Sequence, residues 1–221
     1  MANQTLSVRE YGFYDFMKWV CFWPVALYLR PKYIYATKEA KKRIRTAGVV
    51  VYNHTSFLDV LYIQLSVWYR RHRIVAEREQ LGHGKNRLFL KLLLSIPIDR
   101  DSVSPASVRA IVRPLRDGHL IDIFPEGTLN TEPYTLLPFK NGPALFASLG
   151  RAPLVPIYID RGPHFWNRLH FVVGEPLNPE DPAFRPEGET GNVRDALPLI
   201  TARLEDEMRK LAGIAKAARE R

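Results

Sequence analysis

The chain has one cysteine, Cys21, among 221 residues, so an internal disulfide and a Cys-rich zinc module are both excluded. It lacks His-Glu-x-x-His, and its six histidines are scattered, which speaks against a zinc hydrolase. No Gly-x-Ser-x-Gly elbow occurs, which removes the serine nucleophile of the α/β-hydrolases. Long apolar runs are missing too: the longest, Trp19 to Leu29, falls well short of the ~20 residues of a spanning helix. No small-x-small cleavage site follows it, unlike a secretory signal. There is no internal repeat and no low-complexity tract. Acidic residues are in deficit, with 23 Asp and Glu against 32 Lys and Arg and a net charge of +9. The partner therefore carries negative charge, whether nucleic acid, anionic lipid, or a phosphorylated or acidic substrate.

The residues that are present are unevenly distributed. An aromatic belt of Tyr11, Phe13, Tyr14, Phe16, Trp19, Phe22, Trp23 and Tyr28 precedes a basic segment of Arg30, Lys32, Lys38, Lys41, Lys42, Arg43 and Arg45, opposed only by Glu39. Rings beside cations suit the headgroup level of a bilayer. A nucleic-acid groove uses the same ingredients, but this belt adjoins continuous apolar sequence, which favours an anionic membrane surface and no nucleic acid. Phe13, Phe16, Val20, Trp23 and Leu27 recur at helical steps. Pro24 predicts a kink or break in that helix, and Arg30-Pro31 a second. The expectation is a monotopic or peripheral helical element, in-plane or half-inserted, on the cytoplasmic face of a membrane.

From Ala47 onward, strand-like runs alternate with helical patterns. Strands are expected at 48–52, 73–76, 96–98, 119–124, 154–159 and 170–173, and helices at 56–69, 85–94, 104–117, 142–149 and 196–219. The stretch 175–192, rich in Pro, Glu and Gly, reads as an irregular surface segment. The fold class is therefore α/β, a mixed, largely parallel central sheet covered by helices, with the N-terminal membrane-associating element in front. Two units are expected: residues 1–45 as the membrane-associating segment and 46–221 as a catalytic domain.

The stretch Asn53-His54-Thr55-Ser56-Phe57-Leu58-Asp59 follows the first of these strands. A carboxylate five residues after a histidine can accept one imidazole N–H, fix the tautomer and leave the other nitrogen to take a proton. Ser56 and Asp59 also fit a capping box, in which Asp59 serves the backbone. The two roles are compatible, since a helix starting at Ser56 holds Asp59 in its first turn. In open α/β sheets functional groups gather beyond the carboxyl ends of strands. His54, Asp99-Arg100 and Pro125-Glu126-Gly127-Thr128 all fall at such ends.

Taken in order, His54-x4-Asp59, Ile98-Asp99-Arg100, Phe124-Pro125-Glu126-Gly127-Thr128 and Val155-Pro156-Ile157 resemble the four motifs of the glycerolipid acyltransferases, and of the lysophosphatidic acid acyltransferase branch in particular. Phe139-Lys140-Asn141-Gly142 is similar to a Phe-Lys-x-Gly segment of that family. The resemblance spans about Val49 to Ile159, half of the chain. It implies transfer of an acyl group from coenzyme A or acyl carrier protein, used as substrate with no further cofactor, to a hydroxyl of a lysophospholipid acceptor. It implies His54 as base and Asp59 as the group that holds its ring. Arg100 would bind the acceptor phosphate, because a guanidinium takes two phosphate oxygens at once, with Lys140 as a second cation. Glu126 would bind the acceptor's glycerol hydroxyl or hold Arg100. Backbone N–H groups near Gly127, or those of the helix that follows His54, would meet the tetrahedral oxyanion; Thr128 would bind substrate beside Gly127 or cap the turn, and Pro156 would shape the floor. Two departures bear on the headgroup. Leu129-Asn130 stands where the family usually has Arg-Ser, and Ala76-Glu77-Arg78 stands where relatives tend to be Lys-rich, which leaves a lyso-aminolipid open as acceptor. A thioester or ester hydrolase is the nearest rival reading.

Overall fold

The structure is a computed structural model that describes residues 8–77, 94–98, 104–162, 167–184 and 193–220. Among these residues, seven strands form one sheet: β1 Lys32–Tyr35, β2 Gly48–Tyr52, β3 His72–Glu77, β4 Ile96–Ile98, β5 Leu120–Ile123, β6 Leu154–Asp160 and β7 His170–Val173. Their order is β1-β7-β6-β2-β5-β3-β4. Every neighbouring pair is parallel except β6 with β7. The mixed, largely parallel α/β sheet expected from the alternation is therefore the one observed.

Helices cover both faces, so the central strands are apolar throughout and do not alternate. Val49, Val51, Ile121 and Ile123 pack toward α3 (Pro105–Arg116), α4 (Gly142–Gly150) and α5 (Val193–Arg219). Val50, Tyr52, Ile74 and Leu120 pack on the other face, against α2 (Asp59–Ser66) and the inner side of α1 (Val8–Leu29). Helix α3 starts where Ser104 predicts: its hydroxyl accepts the Ser107 N–H at 3.1 Å, and Pro105 occupies the first turn.

Four expectations change. The sheet begins at Lys32, inside the segment 1–45 set aside as a separate unit, because β1 pairs with β7 from the far end of the chain. Pro24 does not break α1, which runs unbroken through it. Pro24 and Val20 both lie on the exposed side, where a carbonyl that loses its helical partner can meet solvent. Helix α2 starts at Asp59, not Ser56: its N-cap position is Leu58, with no side-chain cap. The segment 175–184 also carries some order, a bridge from Leu177 to Leu154 and a short 3-10 turn at Pro182–Phe184. The expected helix at 85–94 falls, but for Leu94, outside the described residues. Among the described residues, no helix is long and apolar enough to cross a membrane.

Candidate active site

The site is built at the carboxyl ends of β2, β5 and β3, where the parallel sheet directs its loops. His54 leaves β2 two residues after Tyr52. Its Nδ1 lies 3.1 Å from Asp59 Oδ2, and the imidazole is 17% exposed while the carboxylate is fully buried. The same Oδ2 accepts the backbone N–H groups of Thr55 at 2.7 Å and Ser56 at 2.8 Å. Asp59 therefore orients the ring and ties down the loop that carries it, which joins the two roles its position suggested. Its other oxygen, Oδ1, is buried without a hydrogen-bond partner.

Both backbone groups of His54, and the side chain of Asn53 before it, are held from elsewhere in the fold. Asn53 is buried, donates from Nδ2 to Ile159 O at 3.0 Å, and accepts the Ile159 N–H at 2.7 Å. This side chain extends the β2–β6 ladder by one step just before the histidine. The His54 N–H donates to Glu126 Oε1 at 3.2 Å, and the His54 carbonyl accepts the Asn130 N–H at 2.7 Å. The Phe124 ring stacks on the imidazole, centroids 4.1 Å apart and planes 17° apart. With the loop and ring plane fixed and Nδ1 facing Asp59, Nε2 is the nitrogen left to meet a substrate.

Glu126 also has backbone partners, which neither role considered for it required. It is buried, and its second oxygen accepts the Leu137 N–H at 2.9 Å. Burial pushes its carboxyl above the usual range, and the two backbone N–H donors act in the opposite direction. It clamps the 126–137 loop to His54. Gly127 sits at φ +65°, a conformation that favours glycine. A Cβ there would come within 2.8 Å of Lys140 Nζ, so the Lys140 side chain lies over this turn. The Gly127 N–H is bonded to Phe124 O at 3.2 Å, closing the turn. Pro156 is buried in β6, opposite Val51. Arg100 and Asp99 lie outside the described residues.

A cavity of about 190 Å³ opens at His54, walled by Phe57, Val60, Glu77, Gly127, Thr128 and Leu129. Phe57 is 77% exposed at its mouth. The walls mix apolar side chains, Phe57, Val60 and Leu129, with the polar Glu77 and Thr128, and the imidazole stands among them, an arrangement suited to an amphipathic substrate with a reacting hydroxyl. Sequence reasoning missed Asn53, Asn130 and Phe124 as parts of the site. Their roles depend on partners distant in sequence, and only their place within or beside the two motifs hinted at them.

A family model described as "Acyltransferase" matches residues 34–160, the span that contains all of these groups. The chain belongs to the acyltransferase family. This acyltransferase is 29% identical, over 147 residues, to the 1-acyl-sn-glycerol-3-phosphate acyltransferase of Bacillus subtilis (strain 168), covering 64% of this chain and 72% of that protein. Its fold matches the crystal structure of the 1-acyl-sn-glycerophosphate (LPA) acyltransferase, PlsC, from Thermotoga maritima. The TM-score is 0.61, at 18% identity, over 94% of this chain and 80% of that one. In the acyltransferase the histidine and aspartate expected to act together do meet, and Gly127 and Thr128 reach the same cavity.

Proposed function

We propose that this acyltransferase moves a fatty acyl group from a thioester, acyl-CoA or acyl carrier protein, to the free hydroxyl of lysophosphatidic acid, giving phosphatidic acid. The observation that carries the reading is the His54–Asp59 contact at a cavity whose walls are part apolar and part polar. His54 Nε2 takes the acceptor's hydroxyl proton as the oxygen attacks the thioester carbonyl, while Asp59 stabilises the imidazolium. The tetrahedral intermediate collapses, the C–S bond breaks, and the imidazolium returns its proton to the leaving thiolate. No enzyme nucleophile is needed, because the thioester is already activated. The similarity to the Bacillus subtilis protein supports the acceptor class. Arg100 and Lys140 are assigned to the acceptor phosphate, and Thr128 to the cavity wall against the glycerol. The acceptor lives in a bilayer, so the reaction takes place at the cytoplasmic membrane surface, with α1 as the membrane-associating element.

One observation favours a second acceptor. Glu77 and Leu129 wall the cavity, and a carboxylate there suits a lysolipid whose headgroup carries an amine. Screening lysolipid acceptors against one labelled acyl donor separates the two. Transfer to lysophosphatidic acid that vanishes in a folded His54→Ala protein is the expected result. Thiol release that proceeds equally without any acceptor would identify a hydrolase instead.

A further inference from the structure

Arg219 is the last residue of α5, and its guanidinium turns inward to the end of β6. The side chain is only 16% exposed. Nε and Nη2 donate to Asp160 Oδ2 at 2.9 and 2.7 Å, and Nη2 also reaches the carbonyls of Asp160 and Arg168, each at 3.0 Å. Asp160 is buried, and its Oδ1 accepts the Gly162 N–H at 2.9 Å. Gly162 sits at φ +71°, where an added Cβ would come within 3.0 Å of Arg219 Cζ, so the turn after β6 is shaped around the guanidinium. His170 Nδ1 lies 3.6 Å from the same Asp160 oxygen. Burial, and after it the Arg219 charge, lowers the pKa of that imidazole, which leaves Arg219 as the cation of the cluster. A buried ion pair adds little net stability over an apolar contact of the same size. Fastening α5 alone therefore does not account for this one.

Two routes lead from Arg219 to His54. The first runs through the strand: Asp160 follows Ile159, whose N–H and carbonyl are both taken by the side chain of Asn53, the residue before His54. The second runs through the loop after Glu126. The half-buried Tyr134 has its hydroxyl against the Arg219 and Asp160 side chains, and the Tyr158 hydroxyl of β6 lies against its backbone. Tyr134 stands at φ +60°, a left-handed conformation that costs a non-glycine residue free energy and persists where its surroundings over-determine it. Its neighbour Thr135 accepts Asn130 Nδ2 through both its carbonyl and its hydroxyl at 3.2 Å, and the Asn130 N–H holds the His54 carbonyl at 2.7 Å. The same loop gives Gly127, Thr128 and Leu129 to the cavity wall.

We infer that Arg219 is a positioning residue for acyl transfer: it locks the end of β6 and the 130–135 loop to each other, and through them sets the backbone that carries the His54 imidazole. It touches no substrate. A planar fork serves the Asp160 carboxylate and two carbonyls at once, whereas an ammonium on a shorter stem is a point charge that cannot hold the same three acceptors in place. The inference rests on the reading of His54 as the base and adds that the far end of the C-terminal helix belongs to its scaffold.

The test is steady-state kinetics of the full chain with acyl-CoA and lysophosphatidic acid in detergent micelles, alongside urea denaturation. Arg219→Lys is expected to lose at least about tenfold in kcat, with the KM values of both substrates held within about twofold of wild type. Asp160→Asn/Arg219→Met, which strands no charge, is expected to show the same fall if Arg219→Lys does not fold. Tyr134→Phe loosens one route and should lose a smaller part of kcat, and adding it to Arg219→Lys should cost nothing further, because the two act through one contact. Wild-type kcat in the folded variants, with only the urea midpoint lowered, would overturn the inference and leave Arg219 as a fastener of α5. Losses that multiply in the double variant would overturn it too, and so would a raised KM at unchanged kcat. His54→Ala is measured in parallel: full turnover there would overturn the base itself, whereas its loss beside an unaffected Arg219→Lys protein overturns the inference alone.

Discussion

The imidazole of His54 lies nearly flat against the ring of Phe124, centroids 4.1 Å apart, so the two motifs of the site touch through their aromatic faces. One edge of the imidazole is held by Asp59, and the Phe124 contact fixes the plane about that edge. Phe124→Leu keeps an apolar neighbour but removes the flat surface. We expect kcat to fall about tenfold with little change in KM, since misoriented catalytic groups cost rate more than binding. Phe124→Tyr should restore most of the loss, as steady-state kinetics on a micellar acceptor would reveal.

Asp59→Asn can keep one oxygen facing the three donors that Oδ2 accepts, the imidazole and the N–H groups of Thr55 and Ser56, but it removes the negative charge that stabilises the imidazolium. The expected loss in kcat is on the order of a thousandfold, as for other base-orienting carboxylates. Far-ultraviolet circular dichroism would verify that the variant remains folded.

Glu126 serves two backbone N–H groups, those of His54 and Leu137. Glu126→Gln turns an amide NH2 toward one of these donors, so both kcat and thermal stability should drop, the latter by about 1–3 kcal/mol. A variant that raised only the acceptor KM would mean that Glu126 contacts substrate instead.

Away from the site, His72 and Asp122 form a fully buried pair: Nδ1 lies 3.0 Å from the carboxylate, and Nε2 donates to Val67 O at 2.8 Å. Both ring nitrogens face acceptors, so the imidazole ties the Asp122 carboxylate to the Val67 carbonyl. His72→Leu strands a buried carboxylate and should cost about 3–5 kcal/mol, whereas adding Asp122→Leu should recover much of it. Urea denaturation of the single and double variants tests this coupling.

Burial lowers Lys18 from 10.5 to about 8. Between those values the folded chain binds fewer protons at Lys18 than the unfolded chain does, so this residue's contribution to stability rises with pH from about 8 toward 10.5. The stability of wild type relative to Lys18→Met should therefore increase over that window in denaturant titrations. A flat difference would show that the ammonium is not desolvated at the α1 contact.

Periodicity and motif order made most of this protein readable from its residues. The runs at 48–52, 154–159 and 170–173 became strands β2, β6 and β7 because uninterrupted apolar sequence of that length has few other uses in a sheet buried on both sides. Strand β1 escaped because Lys32-Tyr33-Ile34-Tyr35 is short and only partly buried, and what holds it is its pairing with β7, more than 130 residues away. Spacing also matched His54 to Asp59, since five residues around a helix start bring two side chains together by local geometry alone. The tertiary structure decided what lies further apart in sequence: that Glu126 braces the backbone of His54 and Leu137, that Asn53 bolts β2 to β6, and that Phe124 fixes the plane of the base. Local pattern can say which residues carry chemistry, but hydrogen-bond donors from separate strands and loops reach one carboxylate or one ring only once the sheet has set their register.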